Sequence, residues 1–119
     1  MKKTIWITMF LMMIGLTLSS FDITKNYTRL TITIIDELGN KVEGATVKLY
    51  KEKEDYDKLT NEYKVTTTDK KGRAYFTELE AVSYYVYAEK DAMNNLTLGE
   101  KTSVLEEDKH NKANIVIAE

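Results

Sequence analysis

Tyrosine is the residue type that most favours a recognition function in this sequence, because eight tyrosines occur among 119 residues. A tyrosine ring offers apolar area and a hydroxyl group at a small entropy cost, so rings on a sheet surface can stack on sugars or anchor a protein. Tyr75, Tyr85 and Tyr87 alternate with Phe76 and Val86. This period of two predicts one exposed aromatic patch on two adjacent antiparallel strands. The alternatives are ordinary cross-strand pairing or burial in the core.

Side chains for catalysis are scarce. The sequence has no cysteine, and its only histidine is His110, which the sequence places in a polar connection two residues after Asp108. A Ser-His-Asp triad requires burial and orientation that an exposed connection does not provide. One histidine without cysteine also cannot complete the usual closed zinc site. We therefore predict a protein that is not an enzyme and has no metal or other cofactor.

Carboxylates in two turns raise the question of calcium. Asp36, Glu37 and Asn40 lie in one turn, and Asp69 lies in another. These residues supply the hard oxygen ligands that calcium prefers. Asp and Asn are also ordinary turn formers, because their side chains accept hydrogen bonds from the nearby backbone. We predict the turn role, and calcium binding at Asp36 and Asp69 stays open.

The N-terminus has the features of an export signal. Two lysines precede an apolar run from Ile5 to Leu18, which two serines follow. Residues 1–20 are therefore predicted to be a signal peptide, since the run is too short to span a bilayer. Residues 21–27 are predicted to be a disordered leader, and residues 28–119 a single domain.

The residues around the predicted cleavage point resemble a bacterial lipoprotein signal, but Phe21 stands where the lipid-bearing cysteine would be. We therefore expect an exported periplasmic or extracellular protein without a lipid anchor and without stable membrane insertion after signal removal. The net charge of −2 gives no basic field for nucleic acid.

Alternating apolar residues predict several short strands, a pattern typical of an all-β sandwich; an open barrel would also fit. Asp69 to Gly72 is predicted to be the turn of a hairpin that joins the strands on either side. Lys51 to Glu62 is highly charged, which favours a solvated loop, although Tyr56 and Leu59 are spaced for a short helical turn. The residues predicted to face the core are Leu30, Ile32, Ile34, Ala45, Val47, Leu49, Ala74, Phe76, Tyr84, Val86 and Ala88.

Three motifs, in order, resemble the carboxypeptidase regulatory-like domain family of exported bacterial proteins. They are IDELGNKVEGATVKLY from Ile35 to Tyr50, TTDKKGRAYF from Thr67 to Phe76, and LEAVSYYVYAEK from Leu79 to Lys90. The resemblance implies a seven-stranded, Ig-like or transthyretin-like antiparallel β-sandwich and a non-catalytic accessory role. It implies no fixed ligand, because one fold serves many functions.

These observations predict a binding or assembly module at the bacterial cell envelope, with an envelope protein or a glycan as its partner. The alternative is a purely structural spacer or assembly module, with or without bound calcium. The sequence alone does not choose between the two.

Overall fold

Two β-sheets pack face to face in the computed structural model, which describes residues 26–96, 98 and 101–119. This arrangement confirms the predicted all-β sandwich. The predicted signal peptide, Phe21 and most of the predicted leader lie outside the described residues. Within the described part of the chain, no helix is long and apolar enough to cross a membrane.

Each sheet combines strands that are distant in sequence. The first sheet has the order β4-β1-β7, with β1 at Arg29–Ile35, β4 at Arg73–Phe76 and β7 at His110–Val116. The second has the order β3-β2-β5-β6, with β2 at Thr46–Tyr50, β3 at Lys64–Thr67, β5 at Tyr85–Lys90 and β6 at Met93–Asn94. A short helix, α1, spans Lys53–Lys58 between β2 and β3.

Strand β1 is the centre of the first sheet. It pairs with β4 in antiparallel register, with Leu30 beside Phe76, and with β7 in parallel register, with Arg29 beside His110. The parallel pair departs from the predicted antiparallel arrangement, since residue alternation carries no information on strand direction. The backbone of β1 is therefore hydrogen-bonded on both sides, and only its side chains are available to a ligand.

The core lies between the two sheets, where the alternating residues predicted from the sequence meet. Phe76 is central to it, with 4% of its surface exposed. Each large apolar side chain buried in this way contributes about 1.5 to 3 kcal/mol. All of the predicted core residues are buried: Leu30, Ile32, Ile34, Ala45, Val47, Leu49, Ala74, Phe76, Tyr84, Val86 and Ala88.

The turn from Asp69 to Gly72 forms as predicted, but it is not a hairpin. The N–H of Gly72 donates to the carbonyl of Asp69 at 3.0 Å, and Gly72 has φ +72°. The predicted pairing of the flanking strands is wrong, because β3 pairs with β2 and β4 pairs with β1. Turn chemistry is local, whereas the partner of a strand depends on how the whole chain buries its apolar residues.

The charged segment after β2 contains helix α1, so the favoured loop prediction is wrong there and the helical alternative is correct. Tyr56 is the helix's buried residue, and its ring meets that of Tyr50 edge to face, with centroids 5.9 Å apart. Leu59 ends the helix in the left-handed conformation at φ 52°. A helix of six residues shows too little periodicity to be recognised, and tertiary packing provides its stability.

Candidate functional site

The three tyrosines of the predicted patch lie on opposite sides of the sandwich. Tyr75 is on β4 in the first sheet and is 51% exposed, whereas Tyr85 and Tyr87 are on β5 in the second sheet. The prediction of one surface on adjacent strands is therefore wrong. Alternation gives the side of a strand to which a residue points, but it does not give the sheet to which the strand belongs.

Tyr87 belongs to a small aromatic core between α1 and the second sheet. It is 6% exposed and clusters with Tyr50 and Tyr56, while Tyr85 packs at the edge of the cluster. Burial is the main cause that raises the pKa of Tyr87 to about 12, and its hydroxyl donates to Glu89 Oε2 at 2.9 Å. This half of the predicted patch therefore holds α1 in place.

A recess on the outer face of the first sheet surrounds Tyr75. Its volume is about 280 Å³. We call it the threonine groove, because Thr31 and Thr33 of β1 form its floor. Its walls are formed by Arg73 and Tyr75 of β4 and by His110, Lys112, Ala113 and Asn114 of β7.

The sequence of β1 explains the shape of the groove. Thr31 and Thr33 alternate with the buried Ile32 and Ile34, so they lie on the side away from the core. Threonine is shorter than the residues that flank it in the sheet, and adjacent strands lie about 4.8 Å apart. The two walls therefore stand roughly 10 Å apart over a floor of hydroxyl groups.

The strand register places the wall residues level with the floor residues. Thr31 lies between Tyr75 and Lys112, which belong to opposite walls. One step along β1, Thr33 lies in the same way between Arg73 and Asn114. The β7 wall therefore contributes the basic side chain of Lys112 beside Thr31, and the β4 wall contributes that of Arg73 beside Thr33.

His110 lies on β7, not in the predicted polar connection. Its Nε2 is 2.6 Å from the Thr31 hydroxyl at the floor of the groove. Asp108 Oδ1 accepts the backbone N–H of Tyr27 at 3.2 Å. Strand β7 thus begins within the predicted connection, because its first inward positions, Asn111 and Ala113, have no large apolar side chain and give no apolar alternation.

The ionisable side chains that line the groove are mostly basic, and the Asp69 carboxylate in the turn before β4 interacts with one of them, Arg73. Arg73, His110 and Lys112 are basic, and none of the described residues that line the groove is acidic. Tyr75 is held in place by its hydroxyl, which donates to Asp69 Oδ2 at 3.2 Å. The other Asp69 oxygen accepts the backbone N–H groups of Lys71 and Arg73, and the Arg73 N–H is the main cause that lowers the pKa of Asp69.

The two turn carboxylates serve as hydrogen-bond acceptors. Asp36 Oδ1 accepts the N–H groups of Leu38 at 3.0 Å and Asn40 at 2.9 Å, much as Asp69 does in its own turn. Among the residues that the structure describes, no group of three or more His, Cys, Asp or Glu side chains could hold a metal ion. The hydrogen bonds give Asp36 and Asp69 the turn role that their residue types predict.

Comparison with known proteins identifies the family. Residues 28–118 match the SpaA family of domains with a prealbumin-like fold. No curated protein matches the sequence. The match confirms the prealbumin-like sandwich that the sequence motifs implied, but it is not to the carboxypeptidase regulatory-like family.

Two solved structures resemble the chain at low sequence identity. The pilus 2b backbone protein of group B streptococcus is 17% identical, with 80% of this chain and 42% of that chain covered at a TM-score of 0.58. The major pilin subunit of Bacillus cereus is also 17% identical, with 77% and 30% covered at a TM-score of 0.49. The chain thus spans less than half the length of either protein. On the match over residues 28–118, it belongs to the SpaA family of prealbumin-like fold domains.

Proposed function

We propose that this chain is a non-catalytic module of the bacterial cell surface and that it binds an envelope component through the threonine groove. The observation that carries the proposal is the groove itself: a recess lined by hydroxyl, phenol, amide and basic groups on a sheet face. Such convergent polar groups in a concave site are typical of binding sites. The family match and the pilus backbone protein among its structural relatives support a role at the cell surface.

Export remains part of the proposal. The predicted signal peptide at residues 1–20 would deliver the domain to the periplasm or the outside. Phe21 in place of a lipid-bearing cysteine would release it without a lipid anchor. An envelope protein or a glycan is the expected partner.

Binding is a better account of the groove than catalysis. Thr31 and His110 lie at the distance of a nucleophile and its base. A working pair also needs a third group that orients the histidine. Asp108 is the carboxylate nearest to His110 in the sequence, and it accepts a hydrogen bond from the backbone N–H of Tyr27. Thr31 is moreover only 6% exposed, which restricts the access of a substrate to its hydroxyl.

A purely structural role in an assembly is the second candidate, and the edge of the first sheet favours it. Strand β7 is seven residues long and pairs on one side with β1. An edge strand of this length can accept a further strand from another chain. In this case the sandwich would act as a spacer or building block, and the groove would not be needed for attachment.

Cosedimentation with envelope fragments of the producing bacterium distinguishes the two candidates. The full chain is compared with the double variant Arg73→Ser/Lys112→Ser, which removes one basic group from each wall of the groove. The matched control is Lys53→Ser/Lys58→Ser on α1, which removes the same charge from the outside of the other sheet. The ion pairs lost in the control are exposed and contribute little to stability.

We expect the groove variant to lose most of its cosedimentation and the control to keep it. Equal cosedimentation of all three proteins would favour attachment through the sheet edge and would contradict the groove as the binding surface. Thermal unfolding of each variant verifies that the comparison is made between folded proteins.

A further inference from the structure

We infer that the threonine groove binds an acidic carbohydrate, with the sugar ring against Tyr75 and its carboxylate between the basic residues of the two walls. The inference rests on the proposed function of the groove as a binding surface and adds the chemical class of its ligand. Three features support the inference. They are the charge of this sheet face, the position of Tyr75, and the β1 backbone beneath the groove, which is already hydrogen-bonded to β4 and β7.

The first feature is the segregation of charge. The protein as a whole has a net charge of −2, yet the outward positions of the first sheet are neutral or basic. The Asp69 carboxylate in the turn before β4 offsets part of the Arg73 charge, but no described residue that lines the groove is acidic, so this face attracts an anion. These positions are Arg29, Thr31, Thr33 and Ile35 on β1, Arg73 and Tyr75 on β4, and His110, Lys112, Asn114 and Val116 on β7.

The guanidinium group of Arg73 favours a carboxylate as the charged group of the ligand. A guanidinium group is planar and binds a carboxylate through two parallel hydrogen bonds. Lys112 on the opposite wall supplies a second positive charge. A phosphate group shares this chemistry, so the experiment below must separate carboxylate from phosphate ligands.

The second feature is a tyrosine ring that is both exposed and fixed. About half of the Tyr75 surface is accessible, and the hydrogen bond from its hydroxyl to Asp69 restrains the ring. A restrained ring offers a stacking surface at low entropy cost. Thr33 and Asn114 lie one step along the groove, where they can hydrogen-bond the hydroxyl groups of a sugar.

The third feature argues against an extended peptide. Peptides that bind to sheets add a strand at a free edge through backbone hydrogen bonds. The floor of the groove is β1, whose backbone is already paired with β4 and β7. A ligand in the groove must therefore be recognised through side chains. The recess, at about 280 Å³, is at the lower limit of sites for drug-sized ligands and suits about one sugar residue.

The test is a calorimetric titration of the full chain with defined oligosaccharides. The probes are oligosaccharides of galacturonate, glucuronate or sialic acid, and each is paired with its carboxyl-reduced, neutral counterpart. Inorganic phosphate, glycerol phosphate and a short polyglutamate peptide complete the set. We expect at least one acidic oligosaccharide to bind about tenfold more tightly than its neutral counterpart, as one charge-assisted contact implies.

The variants locate the binding. Arg73→Ser is expected to weaken the acidic oligosaccharide about tenfold, and Tyr75→Ser should weaken both the acidic and the neutral forms. Lys53→Ser/Lys58→Ser is the control and should leave the affinity unchanged. Amide spectra of each variant verify that its fold is intact.

Three results would overturn the inference. They are equal affinity for each acidic sugar and its reduced counterpart, equal or tighter binding of phosphate or polyglutamate, and full affinity in Arg73→Ser. If envelope cosedimentation depends on the groove while no acidic sugar binds, only the ligand class is wrong. If cosedimentation does not depend on the groove, the proposed function itself is wrong.

Discussion

The hydroxyl of Thr31 lies 2.6 Å from Nε2 of His110, which joins the central strand of the first sheet to its edge strand beneath the groove. The contact fixes the histidine ring at one end of the floor. It also occupies the hydroxyl of Thr31, so that Thr33 is the floor residue left for a ligand. The shape of the groove therefore depends on this pair as well as on the wall residues.

Replacement of Thr31 by valine tests the energetic role of this contact. Valine keeps the branched shape and removes the hydroxyl, so the loss is one hydrogen bond, about 0.5 to 1.5 kcal/mol in the free energy of unfolding. Urea denaturation measures the change. A loss above about 3 kcal/mol would show that Thr31 supports the core rather than the groove.

Phe76 and Tyr75 are neighbours on β4 that point to opposite sides of the first sheet, so they form a matched pair. Phe76→Ala should lower the free energy of unfolding by about 3 to 5 kcal/mol, because it leaves a cavity between the sheets. Tyr75→Ala should lower it by less than about 1 kcal/mol, since its ring is half exposed. Similar losses in the two variants would contradict the assignment of faces.

Gly72 and Gly39 both have positive φ but differ in the space around them. A Cβ at Gly72 would lie 2.9 Å from the carbonyl oxygen of Ile34 and 3.0 Å from the backbone nitrogen of Val42, whereas nothing lies within 4 Å of a Cβ at Gly39. Gly39→Ala should therefore show only the strain of a positive φ, about 1 kcal/mol, and Gly72→Ala should be clearly more destabilising. Chemical denaturation of both variants checks this order, and the reverse order would contradict the close approach at Gly72.

Stability should fall in alkaline solution because of buried tyrosines. Burial is the main cause that raises the pKa of Tyr84 and of Tyr87 to about 12 in the folded protein, whereas an unfolded tyrosine ionises near pH 10. Between these values the unfolded state has lost the protons and the folded state still holds them, so the free energy of unfolding decreases as pH rises from about 10 to about 12.

The variant Tyr87→Phe isolates one of these groups. Its free energy of unfolding should decline less steeply with pH over the same range than that of the unchanged protein. Urea titrations at a series of pH values provide the comparison. Identical slopes for the two proteins would show that Tyr87 ionises with a similar pKa in both states.

Local sequence patterns were sufficient to predict the core and the turns. The alternation in β1 correctly placed Leu30, Ile32 and Ile34 inside, and the residue types from Asp69 to Gly72 correctly predicted a turn. Both features depend on residues a few positions apart. The steric and hydrophobic rules that govern them act within a single strand or turn.

Pairing between distant strands could not be predicted in the same way. The sequence did not show that β4 and β5 belong to different sheets, and the predicted tyrosine patch failed for this reason. The floor of the groove was also missed, although Thr31 and Thr33 alternate with the predicted core residues Leu30, Ile32 and Ile34. One overlooked signal was the alternation of His110, Lys112 and Asn114, which is the outward face of β7.

Site-specific photo-crosslinking tests the groove as the binding surface most directly. A photoreactive phenylalanine analogue replaces Tyr75 in one variant and Val65 in another, and each full chain is irradiated with envelope fragments. Val65 is a matched control because it is 48% exposed, close to the 51% of Tyr75, but lies on β3 in the other sheet. We predict strong crosslinking from position 75 and little from position 65. Crosslinking that is equal at the two positions, or stronger at position 65, would contradict the account.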